Sequence, residues 1–385
     1  MKRIKYLSYY IQDGDNEDRV CALSAKTKMD YICSVMNKNG FFVEIISASQ
    51  TRSKKHCFKG RTIRLNEMQS LKTFFTFPAG NILKRALRWF SSNLFVFLEL
   101  MKLKKDEKVL VYHSLGYMKM VNLVHRIKKF QLILEVEEIY ADVIGEKSLK
   151  EKEIHFIKSA ERYIFATELL DQYVNGGKKT SLVIYGTYHV EAEENYGIKE
   201  EVVQDRNREI VNCVYAGTLD PRKGGAYAAV NAAIFLPSNY HVHILGFGTK
   251  LETENLKELI EKVKEKAKAR ITYDGILSGS DYIKFIKNCN IGLSTQNPDA
   301  DFNATSFPSK ILSYMSNSLR VVCIRIPAVE ASMVNNYVYY YDEQTPENIA
   351  RTIMEIDLND NYDSKKIITE LDLRFQKELK IFLEA

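Results

Sequence analysis

Short apolar runs alternate with helical spacing along this chain, and they do so in two successive series. That alternation limits the possible folds more than any other feature. Lys5 to Ile11 is apolar and aromatic, as a buried strand requires. Ala25 to Asn37 carries Met29, Ile32, Cys33 and Met36 at helical spacing, and Asn39-Gly40 closes it. Phe41 to Ile46 is the next strand. Strand, helix, glycine and strand in this order open a parallel α/β sheet. Further strands are expected at Lys108 to Tyr112, Gln131 to Val136, Tyr163 to Ala166 and Thr180 to Tyr185. The helices Met118 to Lys129, Ser148 to Ala160 and Glu168 to Val174 separate them, the last capped by Thr167.

Val190 to Arg208 is acidic, polar and without period, and reads as a linker. The second series follows. Its strands are Ile210 to Tyr215, His241 to Leu245, Ile271 to Tyr273 and Ile291 to Ser294, and its helices are Ala226 to Leu236, Leu251 to Ala269 and Ser280 to Lys287. Helices Thr345 to Met354 and Asp363 to Leu383 finish the chain. A length of 385 residues exceeds what one hydrophobic core holds, so two domains are expected.

The six cysteines form no C-x-x-C pair or other metal spacing, as reduced thiols of a cytosolic protein would not. The opening MKRIKYLSYYIQDGD is not read as a signal peptide, because Asp13 and Asp15 cut the apolar run short. No apolar run approaches the length of a membrane span. The net charge is +6, unevenly placed: 13 Lys and Arg lie between Arg52 and Lys105, opposed only by Glu67 and Glu99. Phenylalanines and Trp89 interleave with these cations, and from Asn81 onward the pattern is helical and amphipathic. One reading is a surface for anionic lipid through about 52–105. The other is an ordinary helix with a solvated basic face. Single-stranded nucleic acid suits such a mixture, but no RNA or DNA module accompanies it, so no nucleic-acid partner is expected.

In open parallel sheets, ligands sit outside the carboxyl ends of the strands. The second series places its unusual turns there: Gly217-Thr218, Gly246-Phe247-Gly248, Asp274-Gly275 and Thr295 to Pro308. The last leads into NATSFPSKILSYMSNSLRVV, Asn303 to Val322, which combines a polar turn, Pro308, a helical pattern from Ser309 to Met315, and an apolar run from Val321. A helix start with Ser and Lys side chains suits phosphate oxygens. Arg222 and Lys223, on a glycine turn, add cations, and Lys310 adds an amine; together they make a cage for a diphosphate. The plain alternative for each lysine is a solvated surface. There is no G-x-G-x-x-G after a first strand and no G-x-x-x-x-G-K-[ST], so nicotinamide and ATP-hydrolysing chemistry lack support. Asp299-Ala300-Asp301 spells D-x-D without a neighbouring His or Glu, and reads as a loop rather than a metal site.

The second half resembles the donor domain of retaining GT-B glycosyltransferases of the glycosyltransferase family 4 (group 1) type. The segments that carry the resemblance are VYAGTLDPRKG (Val214 to Gly224), ILGFG (Ile244 to Gly248), ITYDG (Ile271 to Gly275), DYIKFIKNCNIGLS (Asp281 to Ser294) and SFPSKILSYMSNSLRVV (Ser306 to Val322). The first half resembles the family's more variable acceptor domain, with KKTSLVIYGT (Lys178 to Thr187) as its hinge strand and turn. The resemblance implies a GT-B fold: two doubly wound Rossmann-like α/β domains facing a central cleft. The acceptor domain would be 1–190, joined by a last helix at about 368–385, and the donor domain 191–367.

It also implies a nucleotide diphosphate sugar as donor substrate, with no cofactor and no metal. Donor-binding positions are then Gly217, Thr218, Arg222, Lys223, Gly246, Phe247, Gly248, Thr305, Ser306, Phe307, Pro308, Ser309, Lys310 and Ser313. Three positions depart from the family pattern: Thr305 and Ser313 stand where it commonly has glutamates, and Thr218 where it has an arginine. The F-P-S-K form resembles a subgroup of polysaccharide-assembly enzymes in which that acidic pair is often incomplete. On the acceptor side, His113, Glu137 and Glu138 follow strand ends and are the candidates to orient an acceptor hydroxyl or accept its proton. The plain alternatives are a structural histidine and a helix N-terminus favoured by its dipole. The expected function is transfer of a sugar to a glycan or lipid-linked acceptor in capsule, O-antigen or exopolysaccharide synthesis, in the cytoplasm or at the inner membrane face. A non-catalytic binding subunit and a sugar-nucleotide epimerase are the alternatives.

Overall fold

A computed structural model describes residues 2–190, 210–299, 303 and 305–385. Two compact units emerge: unit 1 is Met1–Thr187 with Arg374–Ala385, and unit 2 is Tyr188–Leu373. Most of the expected linker lies outside the described residues, as does Asp301 of the D-x-D.

Unit 1 runs β1 (Lys2–Ser8), α1 (Leu23–Lys38), β2 (Phe41–Ser47), β3 (Thr62–Asn66), β4 (Gln69–Thr73), α2 (Ile82–Leu100), β5 (Lys108–Tyr112), α3 (Met118–Lys128), β6 (Gln131–Val136), α4 (Tyr140–Ile144), α5 (Lys147–Ile157), β7 (Arg162–Phe165), α6 (Glu168–Val174) and β8 (Ser181–Val183). The strand order is β3-β4-β2-β1-β5-β6-β7-β8, parallel except for the β3/β4 pair. Helices cover both faces of such a sheet, so its central strands read as continuous apolar runs. Leu132, Ile133 and Leu134 of β6 and Val109, Leu110 and Val111 of β5 are accordingly all buried.

Sequence and structure differ in three places here. β1 spans Lys2 to Ser8 rather than Lys5 to Ile11, because its register with β2 runs from Lys2↔Phe41 to Ser8↔Ser47 and ends with its partner. The β3/β4 hairpin was not expected; β3 lies at the sheet edge with no buried residue, so it lacks the apolar run that marks its neighbours. α4 has five residues, too few to show a helical period.

Unit 2 runs β9 (Val211–Thr218), α7 (Gly225–Ala232), β10 (Tyr240–Phe247), α8 (Lys250–Lys264), β11 (Arg270–Gly275), α9 (Gly279–Lys287), β12 (Ile291–Ser294), α10 (Lys310–Ser316), β13 (Arg320–Ile324), α11 (Pro327–Glu330), β14 (Val338–Tyr341) and α12 (Pro346–Met354). Its order is β11-β10-β9-β12-β13-β14, all parallel. A capping box between Thr249 and Glu252 starts α8. Thr345 caps α12. β14, an edge strand of four residues, carries three half-exposed residues and was not read as a strand.

The last helix, α13, spans Ser364–Glu384. Its second half belongs to unit 1: Tyr31 and Phe375 stack at 5.8 Å, Asn39 Nδ2 donates to Gln376 O (3.0 Å), and Lys2 pairs with Glu384 (2.8 Å). Among the described residues no helix is long and apolar enough to cross a membrane.

Candidate functional site

Each sheet reverses its strand order at one point. In unit 2 the chain proceeds from β9 outward to β10 and β11, then returns to the other side of β9 for β12. In unit 1 the reversal lies between β1 and β5. Connections leave such a pair of strands in opposite directions and open a crevice at their carboxyl ends.

In unit 2 that crevice lies beyond Thr218 of β9 and Ser294 of β12. Register pairs Gly217 with Gly246 and Thr218 with Phe247, which brings two of the expected turns side by side. Leu219 N donates to Phe247 O (2.9 Å) just beyond them. Asn297 N donates to Lys223 O (2.8 Å), and Thr295 Oγ1 donates to Gly225 O (2.7 Å), so the turn after β9 is tied to the turn after β12. Asn303 Nδ2 holds the same loop through Asn297 O (2.6 Å) and Pro298 O (3.1 Å).

Lys310, the first residue of α10, projects into this frame. Its Nζ stands 4.0 Å from the centre of the Tyr215 ring, and a methyl group on Gly217 would meet it at 3.0 Å. A ring face attracts a cation but does not neutralise it. Among the described residues Lys310 has no carboxylate partner. Burial therefore pushes its amine down to about 8. Tyr215 Oη donates to Thr218 O (3.1 Å), which fixes the ring beneath the amine.

The other expected donor residues are placed as follows. Arg222 is exposed and pairs with Asp220 of its own turn, Nη2 to Oδ2 at 2.7 Å and Nε to Oδ1 at 3.1 Å. Lys223 is exposed and close enough to Tyr215 for its charge to act on the phenol. Phe247 is half exposed, and Gly248 precedes the Thr249 cap of α8. Thr305, Ser306, Phe307 and Pro308 are partly buried, and the Ser306 hydroxyl is buried without a hydrogen-bond partner among the described residues. The helix starts at Lys310 rather than Ser309, and no side chain caps it. Ser313 Oγ lies 3.1 Å from Tyr282 Oη of α9.

At the carboxyl ends of unit 1, His113 follows β5 directly. It is fully buried, stacked on Tyr140 (5.2 Å) and Phe156 (6.1 Å). Its Nε2 is 3.3 Å from Glu153 Oε1, and the Glu138 backbone is close enough to act on the ring. The Glu153 oxygens accept instead from the N–H groups of Tyr140 (2.7 Å) and Ala141 (2.8 Å) at the start of α4. Burial pushes His113 down to about 3, so the imidazole is neutral at physiological pH. Glu137 receives Lys28 Nζ at 2.6 Å, and the same amine donates to Ile184 O (2.8 Å). Glu138 is partly exposed. Beside them Glu135, fully buried, accepts from Tyr6 Oη. Burial and then the nearby Glu137 raise the Glu135 carboxyl well above the usual range.

Tyr215, Tyr282, Lys28 and Glu135 were not singled out from the sequence. Glu135 had a visible signal, a lone carboxylate inside the apolar run QLILEV. The tyrosines had none, since the chain holds 23 of them. Among the described residues no group of three or more His, Cys, Asp and Glu could hold a metal.

No family model matches the chain, and no curated protein matches its sequence. Solved structures do. Sucrose-phosphate synthase from Thermosynechococcus elongatus superposes with a TM-score of 0.71 at 11% identity, covering 100% of both chains. HepE from Anabaena, in complex with UDP, gives 0.68 at 12% identity and also covers 100% of both. An α,α-trehalose-phosphate synthase (UDP-forming) from Burkholderia xenovorans, in complex with glucose-6-phosphate, gives 0.67 at 10% identity and covers 99% of each chain. At such identities the likeness is one of fold, and the chain has the two parallel α/β domains of the GT-B fold.

Proposed function

We propose that the protein is a glycosyltransferase that moves a sugar from a nucleoside diphosphate sugar to a glycan or lipid-linked acceptor. The observation that carries this reading is Lys310 at the β9/β12 switch point, a shielded cation with no counter-ion among the described residues. An uncompensated, partly buried charge is costly in the empty protein, and an anion that fits beside it recovers that cost. A diphosphate supplies such an anion. The neighbours support the choice: HepE was solved with UDP, and the Burkholderia enzyme is described as UDP-forming.

In this reading Lys310 and Lys223 hold the diphosphate and stabilise the charge that builds on it as the sugar leaves. Gly217 and Gly246 let it approach the backbone. Arg222 joins only by releasing Asp220. Ser313 and Tyr282 offer hydroxyls to the nucleoside, and Thr305 and Ser306 lie toward the sugar. Transfer proceeds without a metal and with retention of configuration. On the acceptor side, Glu138 is the first candidate to take the hydroxyl proton, with Glu137 held by Lys28 and His113 enclosed behind them. The F-P-S-K form supports a role in surface polysaccharide synthesis.

A second reading, a binding subunit without catalysis, draws on Thr305 and Ser313, neither of which carries a charge. A thermal-shift panel of UDP, GDP, ADP and TDP with their sugars tests the donor site. One series should raise Tm, and Lys310→Ala should abolish the rise. A flat response to all of them overturns the donor assignment. Binding without transfer to any acceptor favours the second reading, and turnover of the sugar nucleotide alone indicates an epimerase.

A further inference from the structure

Helix α2 is amphipathic with its sides exchanged. It buries Ser91, Ser92, Asn93 and Glu99 beside Val96 and Leu100, and it exposes Leu83, Leu87, Phe90, Leu94 and Leu98. Those five recur at spacings of four, three, four and four, which is one continuous stripe along a helix. Ile82, Leu83, Trp89 and Phe90 are 85%, 76%, 58% and 59% exposed. The neighbouring α3 packs on α2 and adds exposed Leu123 and Ile127. A soluble surface rarely carries an apolar patch of this extent without a partner.

Charge indicates which partner. Lys84, Arg85 and Arg88 on α2, and Lys119, Arg126 and Lys128 on α3, form no ion pair among the described residues. Neither helix has an exposed acid: Glu99 is buried between Lys72 and Lys102, each at 2.7 Å. Of the other cations in the basic stretch, Arg61 pairs with Asp15 (3.1 Å), and Lys72 and Lys102 pair with Glu99. Exposed apolar side chains beside cations single out α2 and α3 within this wider basic surface.

We propose that α2 and the adjoining face of α3 dock unit 1 on an anionic lipid bilayer. The helix lies in the interface, with aromatic and aliphatic side chains among the acyl ends and cations at the headgroups. The proposed contact is one-sided, and among the described residues no helix is long and apolar enough to cross a membrane. The end that enters most deeply is set by the fold. Ser92 Oγ donates to Ala48 O (3.2 Å), immediately beyond the carboxyl end of β2. The ten residues from Ile82 to Ser91 therefore lie beyond that level, about 15 Å of helix at the usual rise. They stand on the same rim of unit 1 as His113 and Glu138, so docking carries that rim to the membrane. A lipid-linked acceptor, rather than a free glycan, follows if the transferase reading holds; the docking itself requires no nucleotide.

Trp89 is the only tryptophan of the chain, so its emission reports on α2 alone. The full chain is mixed with vesicles of phosphatidylcholine, with or without phosphatidylglycerol. The expected result is a blue shift and co-sedimentation with the anionic vesicles only, both reversed by high salt. Lys84→Glu with Arg85→Glu should weaken binding about a hundredfold, and Leu83→Ser with Phe90→Ser should abolish the shift, with unchanged circular dichroism in both cases. An emission unmoved by anionic vesicles overturns the proposal. So does an equal shift with neutral vesicles that ignores the charge reversals. A shift that grows with protein concentration without vesicles, together with a dimer in sedimentation velocity, assigns the face to a second copy of the chain instead. None of these outcomes depends on nucleotide binding, so failure here leaves the donor site standing.

Discussion

The two strand-end rims treat a shielded lysine in opposite ways. In unit 1, Lys28 is buried and fully engaged, with Glu137 at 2.6 Å and Ile184 O at 2.8 Å. In unit 2, Lys310 has a tyrosine ring at 4.0 Å and, among the described residues, no carboxylate partner. A satisfied ion pair holds a scaffold together, and losing one partner strands the other. An unsatisfied cation contributes nothing to the empty fold and keeps its free energy for a ligand. The difference teaches where to look for binding: not at the densest cluster of charges, but at the charge the protein leaves unanswered.

Substitutions can break that comparison, beginning with those of largest effect. Lys28→Met should cost about 3 kcal/mol of stability, the low end for a broken buried pair because Glu137 retains some access to water. Lys310→Met should leave stability unchanged or raised, yet lower nucleotide affinity about a hundredfold, as expected for losing a charged phosphate contact. Urea midpoints and thermal shifts measure the two effects; equal stability losses would erase the distinction between the rims.

The glycines sharpen the contrast. A methyl group on Gly246 would sit 1.9 Å from Gly217 O, a backbone atom, whereas one on Gly116 in unit 1 would meet Tyr9 Oη at 2.2 Å, the far end of a side chain. Gly246→Ala should therefore cost about 2–3 kcal/mol and Gly116→Ala about 1 or less, by the same urea titration.

Two pH profiles follow. In the proposed donor site, diphosphate binding needs the charged Lys310, whose amine burial pushes down to about 8 in the empty protein. Affinity measured by calorimetry should hold up to that pH and then fall by up to tenfold per pH unit, while Lys310→Arg stays flat. Glu135 shows the opposite coupling. Its folded carboxyl is raised, so its stabilising share is complete below the ordinary carboxylate range and is lost as pH rises through the raised value. Glu135→Gln removes that loss. The variant should gain about 1 kcal/mol on wild type at mildly alkaline pH and little at pH 4.

Much of the fold was legible because parallel strands covered on both faces must be apolar throughout. QLILEV and KVLVY announce β6 and β5 without any knowledge of their neighbours. Strands without a continuous buried run escape that rule: β3 and β14 carry mainly exposed or half-exposed positions and β4 alternates, and none of the three is expected from the sequence. In the candidate site, the glycine turns and the lysines could be named because turn chemistry is local. Their surroundings could not. Arg222 reads as a phosphate ligand until its own turn closes on it through Asp220, and His113 reads as an accessible base until Tyr140 and Phe156 enclose it.

The sequence by itself determined that there are two parallel α/β series and which turns stand at their strand ends, since both depend on residues adjacent in the chain. Only the tertiary structure decided that Tyr215 lies beneath Lys310, that Lys28 answers Glu137, and that α2 faces outward with its apolar side. The reason is physical. Whether a charge is answered or an apolar stripe covered depends on what packs against it, and those partners come from distant parts of the chain.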